Sequence, residues 1–326
     1  MHRYIRRQLR LISTLTLFAF VLCSGVSAKE FRFDYQKILN TGPEAELEIN
    51  YIGGNLTITP IDDERIIIEA VKRVNAANMD EAELVADHIE IKVDHDDNTV
   101  GVVTNYLRMR NRGESFWSKV LGKGGEESYG EVDWTVQVPT NCRIRVVNTS
   151  GMIDISNVIG DISVRSSASD IRLNSIDGSI EIDNSGGSTV GELLFGPMVI
   201  HQAQGKIDLK FVEGDLRINS ATADIDVRQD RGALDLTTIS GNVNIQTNLD
   251  SSRDYFVRTE SGHIVLSIPE TSSADLRIES QTGKIRTDIP MAISSMSHRQ
   301  IEGRFGVGGV DITLTSITGD VTVAQF

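Results

Sequence analysis

The side chains that could do chemistry are few and scattered. Asp208, Asp226 and Glu181 recur among short repeated strands. Polysaccharide-cleaving β-helices assemble a general acid and a base from acids on neighbouring turns. These three sit among ordinary surface charges, which favours solvated pairs over a catalytic couple. Asp94, Asp96 and Asn98 open like a calcium loop, but Thr99 takes the sixth position where Gly is required, and Asn105 takes the twelfth in place of Glu. His88, His95, His201, His263 and His298 show no metal-ligand spacing, and no H-E-x-x-H, G-x-S-x-G or G-x-x-x-x-G-K motif occurs. The glycine-rich run 303–309 reads as a flexible return. Cys142 lies in CRIRV, where Cys142, Ile144 and Val146 share a strand face, so it reads as a buried, inert thiol. No catalytic residue, cofactor or metal site emerges.

One stretch stands apart. Residues 105–125 (NYLRMRNRGESFWSKVLGKGG) carry Arg108, Arg110, Arg112, Lys119 and Lys123 against Glu114 alone, a local charge of +4. Tyr106, Phe116 and Trp117 lie among them. The whole chain is −14, and −18 without the four arginines of its first 28 residues. That balance argues against nucleic acid and against broad attraction to anionic lipid. A local basic and aromatic stretch in such a chain is the candidate contact for an anionic surface or acidic partner. Its residues are Arg108, Arg110, Arg112, Phe116, Trp117 and Lys119. The plainer reading is an excursion whose Trp117 packs back on the domain.

Residues 1–10 hold four Arg, 11–22 are apolar, and Val26-Ser27-Ala28 is a small-residue cleavage site. This order is that of a secretory signal peptide over residues 1–28, and the apolar run is too short to span a bilayer. The expected location is the periplasm or the cell surface. Two cysteines, Cys23 and Cys142, preclude a disulfide framework.

The elements that must carry these residues are written in a repeat. Stepping by nine from Gly151 gives Gly160, Ser169, Gly178, Gly187, Gly196, Gly205, Gly214, Ala223, Gly232 and Gly241. Two and four residues after ten of these eleven stands an apolar residue, as in Ile153 and Ile155 or Ile207 and Leu209, with a mostly polar position between; Thr189 and Gly191 interrupt the pattern. Apolar–polar–apolar is a strand pattern, and Gly suits a tight corner. The seventh position alternates between large (Val158, Ile176, Leu194, Val212) and small (Ser167, Ser185, Ala203, Ala221), so the unit is about 18 residues with two strand–turn halves. An antiparallel meander would leave one apolar face uncovered. A parallel β-solenoid buries both walls against each other, and the crossover rule makes it right-handed. The pattern weakens at 187–195, and 246–259 and 289–308 read as excursions. Stacking places Asp154 beside Arg172, Lys206 beside Asp224 and Arg217 beside Asp235.

Residues 29–147 read as a β-rich cap and 148–326 as the solenoid. Within the cap, Asn78 and Glu81 mark a helix start, with Ala82, Val85, Ala86 and Ile89 on one face, which predicts a helix over 79–88. With only 6% aromatic residues, the core must be aliphatic. YIGGNLTITP, DWTVQVPTNCRIRVVNTSGMIDI and the GDISV, GSIEI, GKIDL and GDLRI units make the chain similar to a bacterial putative-adhesin family of unknown function with β-strand repeats. The resemblance implies an all-β repeat architecture and an adhesin-like role, and carries no site residues. The expected function is an exported, non-catalytic solenoid with an envelope partner. The competing reading is a carbohydrate-active β-helix enzyme, which would show acids and aromatics clustered on one wall.

Overall fold

A computed structural model describes residues 29–106 and 130–326, so the expected signal peptide lies outside the described residues. These residues form 23 strands and one helix. In chain order they are β1 (Lys29–Asn40), β2 (Ala45–Asn50), β3 (Leu56–Ile61), β4 (Arg65–Ala76), α1 (Met79–His88), β5 (Ile89–Asp96), β6 (Thr99–Tyr106) and β7 (Glu131–Pro139). The middle holds β8 (Cys142–Ile159), β9 (Ile162–Asp177), β10 (Ile180–Asn184), β11 (Ser188–Phe195), β12 (Met198–Glu213), β13 (Leu216–Arg231), β14 (Leu234–Ser240) and β15 (Val243–Thr247). The last third holds β16 (Tyr255–Ser261), β17 (Ile264–Ile268), β18 (Ala274–Ser280), β19 (Ile285–Thr287), β20 (Ala292–Met296), β21 (Gln300–Phe305), β22 (Asp311–Ser316) and β23 (Val321–Gln325).

The long strands β8, β9, β12 and β13 bend at a corner and serve two walls. On the first wall Ile144, Ile162, Ile180, Met198, Leu216 and Leu234 are successive parallel partners. On the second, Ile153, Ile171, Thr189, Ile207, Ile225 and Val243 follow one another in the same way. Parallel pairing rules out the meander, whose neighbours would run antiparallel. All these side chains are buried between the walls. The weak stretch at 187–195 keeps its place. Thr189 is fully buried and donates to Gln202 Oε1 at 2.6 Å, and the tip of Leu194 fills the space a Cβ on Gly191 would take.

Corners are where successive turns come closest. A Cβ on Gly205 would fall on the carbonyl oxygen of Gly187, and Gly205 has φ +111°. Gly232 stands in the same relation to Gly214 in the other corner column. Only glycine meets both constraints at once.

The parallel stack runs past the expected boundary at 147/148. Leu47 of β2 is the partner of Ile144 on one side and of Val100 on the other. Leu56 of β3 likewise lies between Ile153 and Trp134. Two turns, β6/β7 and β2/β3, therefore precede β8 in space, in an order that differs from the chain order. Antiparallel strands cover them: β5 on β6, then β4 on β7 and β1 on β4. The helix forms where the sequence places it. Asn78 Oδ1 accepts from the Glu81 N–H at 2.9 Å, and Ala82, Val85 and Ala86 are buried.

The other end mirrors this. β16 and β17 pair with β22 and β23, the last strands of the chain, and β18 and β19 pair outside them. VTVAQF thus belongs to an inner turn. Half of the stretch 246–259 is paired strand, since Gln246 and Thr247 end β15 and Tyr255, the partner of Leu234, begins β16, and 248–254 is the excursion between them. The stretch 289–308 is the end structure itself, with β21 antiparallel to β18 and β20 antiparallel to β21.

The corner constraint has a direct test. Gly205→Ala is expected to cost about 1–3 kcal/mol, from a strained φ and a backbone overlap. Gly101→Ala, whose Cβ would meet only the Asp94 carbonyl oxygen at 4.0 Å, should be near neutral. Chemical denaturation of both variants checks this, and equal midpoints would refute the constraint.

Candidate interaction surfaces

The acids that could have formed a catalytic couple are not brought together. Glu181 lies on β10, on the first wall, while Asp208 and Asp226 lie on the second. The buried core separates the two outward faces. Asp208 and Asp226 are partners in adjacent turns. Lys206 Nζ lies 2.9 Å and Lys210 Nζ 3.7 Å from the Asp208 carboxylate. The hydrogen bond from Lys206 is the main cause that holds this carboxyl below its usual range. A general acid at neutral pH needs the opposite shift. Asn244 Nδ2 donates to Asp226 at 3.2 Å.

Carboxylates that follow the small corner residues Gly160, Ser169, Gly214 and Ala223 have another use. Each accepts from the backbone N–H of the next turn. Asp161 takes the N–H and Oγ–H of Ser179 at 3.1 and 2.7 Å, and Asp170 takes those of Ser188 at 2.9 and 2.7 Å. Asp215 accepts from the Ala233 N–H and Asp224 from the Asn242 N–H. The relay then passes through other side chains. Asn242 Oδ1 accepts from His263 N–H, His263 Nδ1 from Asp320 N–H, and Asp320 from Lys284 N–H. These bonds hold Asp161, Asp170 and Asp320 below the ordinary carboxylate range.

The calcium-like loop is the hairpin turn between β5 and β6. Its Asn98 Oδ1 accepts from Gly42 N–H at 2.8 Å, which ties the β1–β2 connection to the hairpin. No group of three or more His, Cys, Asp or Glu among the described residues could hold a metal ion. Cys142 is buried, and burial pushes its thiol up to about 12, so it stays protonated and unreactive.

Elsewhere the outward faces carry cross-turn ion pairs. Arg143 and Arg145 reach Glu46 and Glu48 at 3.6 and 3.5 Å, and Arg217 reaches Asp235 at 3.1 Å. Asp154 and Arg172 are register partners, as are Lys206 and Asp224, although Lys206 bonds Asp208 instead. Phe256 projects from the first wall, and Phe195 and Phe211 project from the second-wall strands, with the Arg228 guanidinium 5.8 Å from the Phe211 ring centre. The aromatics are thus spread over both walls.

Arg108, Arg110, Arg112, Phe116, Trp117 and Lys119 lie outside the described residues. The two ends of their segment are described. β6 ends at Tyr106 on the first wall, and β7 resumes after Gly130 on the second. The segment therefore joins the two walls of the β6/β7 turn, where the central turns use a short corner built on a small residue such as Gly151, Ser169, Gly205 or Ala223. Tyr106 Oη donates to the Gly130 carbonyl at 3.5 Å, and burial pushes its hydroxyl up to about 12. Beside Gly130, Arg73 is paired with Glu131 and Asp133 at 2.7 and 2.6 Å.

A family model described as Toastrack DUF4097 matches residues 45–324. The chain belongs to this family. The match begins at the first residue of β2 and ends inside β23, the two inner turns of this Toastrack fold. No curated protein matches it. Among solved structures it is similar to a protein named "putative adhesin" from Bacteroides fragilis, at 12% identity over 92% of this chain and 99% of that one, with a TM-score of 0.38. Another so named, from Parabacteroides merdae, matches at 10% identity over 90% and 96%, with a TM-score of 0.38. A "putative cell adhesion protein" from Clostridium sporogenes matches at 10% identity over 91% and 100%, with a TM-score of 0.22.

The carboxylate relay gives a pH dependence with a definite sign. Carboxyls held low in the fold stabilise it fully above their unfolded value, near 4, and lose that contribution as pH falls through the folded value. The melting temperature should therefore be level from about pH 7 to 5 and fall below about pH 4. Asp170→Ala should lower it at pH 7 and flatten the acid limb. Thermal melts followed by circular dichroism check this, and an acid limb unchanged by Asp170→Ala would contradict the relay.

Proposed function

We propose that this Toastrack protein is an exported, non-catalytic, right-handed β-solenoid of about 18 residues per turn, with an adhesin-like or structural role in the cell envelope. The observation that carries the non-catalytic reading is the separation of Glu181 from Asp208 and Asp226 on opposite walls, with Asp208 engaged by two lysines. A carbohydrate-active enzyme would need such acids facing one cleft. The leader-like residues 1–28 support export to the periplasm or the cell surface. The names of the similar structures agree with an adhesin-like role.

Contact is assigned to the segment between Tyr106 and Gly130. It is the place where a basic, aromatic insertion interrupts an otherwise short corner, and it carries Arg108, Arg110, Arg112, Phe116, Trp117 and Lys119. An anionic surface or acidic partner fits that chemistry. The expected result is flotation of the protein with anionic vesicles at low salt, with loss above roughly 0.1 M salt, where the Debye length falls to about 10 Å. The triple variant Arg108→Ser, Arg110→Ser, Arg112→Ser should fold normally and stay unbound. Equal flotation of the two proteins, or none by either, would overturn the assignment. Cell fractionation with surface protease digestion tests the location.

A further inference from the structure

At the C-terminal end of the stack a groove of about 600 Å³ crosses the outer face of the first wall. Its floor is backbone. Ile312, Leu276, Gly303 and Ile293 are successive partners in β22, β18, β21 and β20, and the side chains of Ile312 and Leu276 are buried on the inner face. Asp311, Asp275 and Arg304 stand along one side of this row, and Thr313, Arg277 and Glu302 along the other. Three strand spacings make the groove about 14 Å long. Ala292 and Ser294 of β20 line one end. Phe256, the β16 partner of Thr313, stands exposed beyond the other. The ion pairs run along the sides and leave the middle open. Arg304 donates to both oxygens of Asp275, at 2.6 and 3.2 Å, and the Gly309 N–H donates to the same carboxylate at 3.2 Å. On the other side Arg277 lies 3.3 Å from Glu302. Among the described residues no ion pair spans the groove from one side to the other.

We propose that this groove binds an uncharged oligosaccharide, held across the strands by hydrogen bonds from both sides and not cleaved. Its length suits a chain better than a compact molecule. Its sides mix signs, with Arg304 beside Asp275 and Arg277 beside Glu302, so an anion or a cation would meet its own sign on either side. A hydroxyl donates and accepts at once, so a chain of hydroxyls finds a partner at each position. The ion pairs also prepare the site. Each charged side chain is already held by its neighbour, which lowers the ordering cost of binding, and hydrogen bonds to charged groups are the strong kind. Asp311 makes no ion pair among the described residues and is free to accept. The Phe256 ring offers an apolar face to the C–H face of a sugar ring. Cleavage needs a carboxyl held protonated. The Arg304 hydrogen bond instead holds Asp275 below the ordinary carboxylate range, and Glu302 is engaged by Arg277 and by Gln300 Nε2 at 2.7 Å. This site is separate from the basic segment between Tyr106 and Gly130 and does not depend on it.

The test is binding of the purified protein to an array of cello-, chito- and manno-oligosaccharides, with heparin as the charged probe, and calorimetric titration of the tightest. The wild type should bind an uncharged chain, with the same affinity below and above roughly 0.1 M salt, unlike an anionic contact that salt would screen. The chain should be recovered uncut. Asp311→Ala with Arg277→Ala should weaken binding by about tenfold or more, as expected for lost hydrogen bonds to charged groups. Arg217→Ala with Asp235→Ala, on the same wall outside the groove, should bind like the wild type. Circular dichroism reports whether each variant folds. Should the groove variant not fold, Thr313→Trp decides, since it fills the groove and leaves every ion pair in place. A wild type that binds none of the uncharged chains would overturn the proposal. So would a preference for heparin, shortened chains after binding, or full affinity in the folded groove variant.

Discussion

Parallel strands stacked about 4.8 Å apart bring the corner backbones of successive turns into contact, and the rest of the molecule is arranged around that closeness. A Cβ on Gly160, Gly178, Gly196, Gly214 or Gly232 would meet the carbonyl of the corner one turn back, and the second corner column, through Gly187, Gly205 and Gly241, behaves alike. With no side chain between turns, corner carbonyls that point inward need donors from within. Asn184 Nδ2 donates to Ser169 O at 2.9 Å, and Gln202 Nε2 donates to Gly187 O and Lys206 O at 3.2 and 3.1 Å. Gln229 Nε2 does the same for Gly214 O and Ala233 O at 2.8 and 3.0 Å. Leaving such a buried group without a partner costs about 1–3 kcal/mol. The glycines and the buried amides are thus two parts of one solution.

The same stacking governs the ends. A stack built in chain order would leave its first and last strands as outermost edges, where termini fray most readily. Here β2/β3 lie between β6/β7 and β8, and β22/β23 lie between β16/β17 and β18/β19. Each wall strand of these two inner turns has a partner on both sides. Most outermost positions go to antiparallel strands, β1, β5 and β20, with the short parallel β19 on the remaining wall and α1 packed at one end. Antiparallel strands can be joined by short turns, whereas another parallel turn would need a full circuit of the stack.

The central turns were legible because their spacing is constant. Glycine every nine residues, with apolar residues two and four later, marks both corners and both inward faces. The helix was legible from Asn78, Glu81 and its apolar face, and the inert thiol from the alternation in CRIRV. The inner turns at the ends were not legible, because Leu47 and Ile144, or Leu266 and Val323, are partners across long insertions. A search at fixed spacing cannot align them. The buried polar column was within reach. Ser166, Asn184, Gln202, Ser220 and Thr238 stand six residues after Gly160, Gly178, Gly196, Gly214 and Gly232. A polar residue repeated where the chain turns inward signals a corner carbonyl to be satisfied. The carboxylate relay was visible only as Asp after a small corner residue, since the sequence does not show which N–H it meets.

The placement of recognition follows from what the stack consumes. Along the walls, each strand spends its backbone groups on neighbours above and below. Many outward charges are likewise engaged by the adjacent turn, as in Arg217 with Asp235 or Arg231 with Glu213. The carboxylates at the corners hold the next turn's N–H groups. A second molecule meeting the middle of this surface finds groups that already have partners, and displacing an exposed ion pair returns little, roughly 0–1 kcal/mol. Among the described residues, strand edges without a partner strand lie on the outermost strands. The sequence departs from the 18-residue spacing where a longer segment joins two walls, as between Tyr106 and Gly130. The geometry that makes the middle of the molecule regular therefore moves its distinctive chemistry to the two ends.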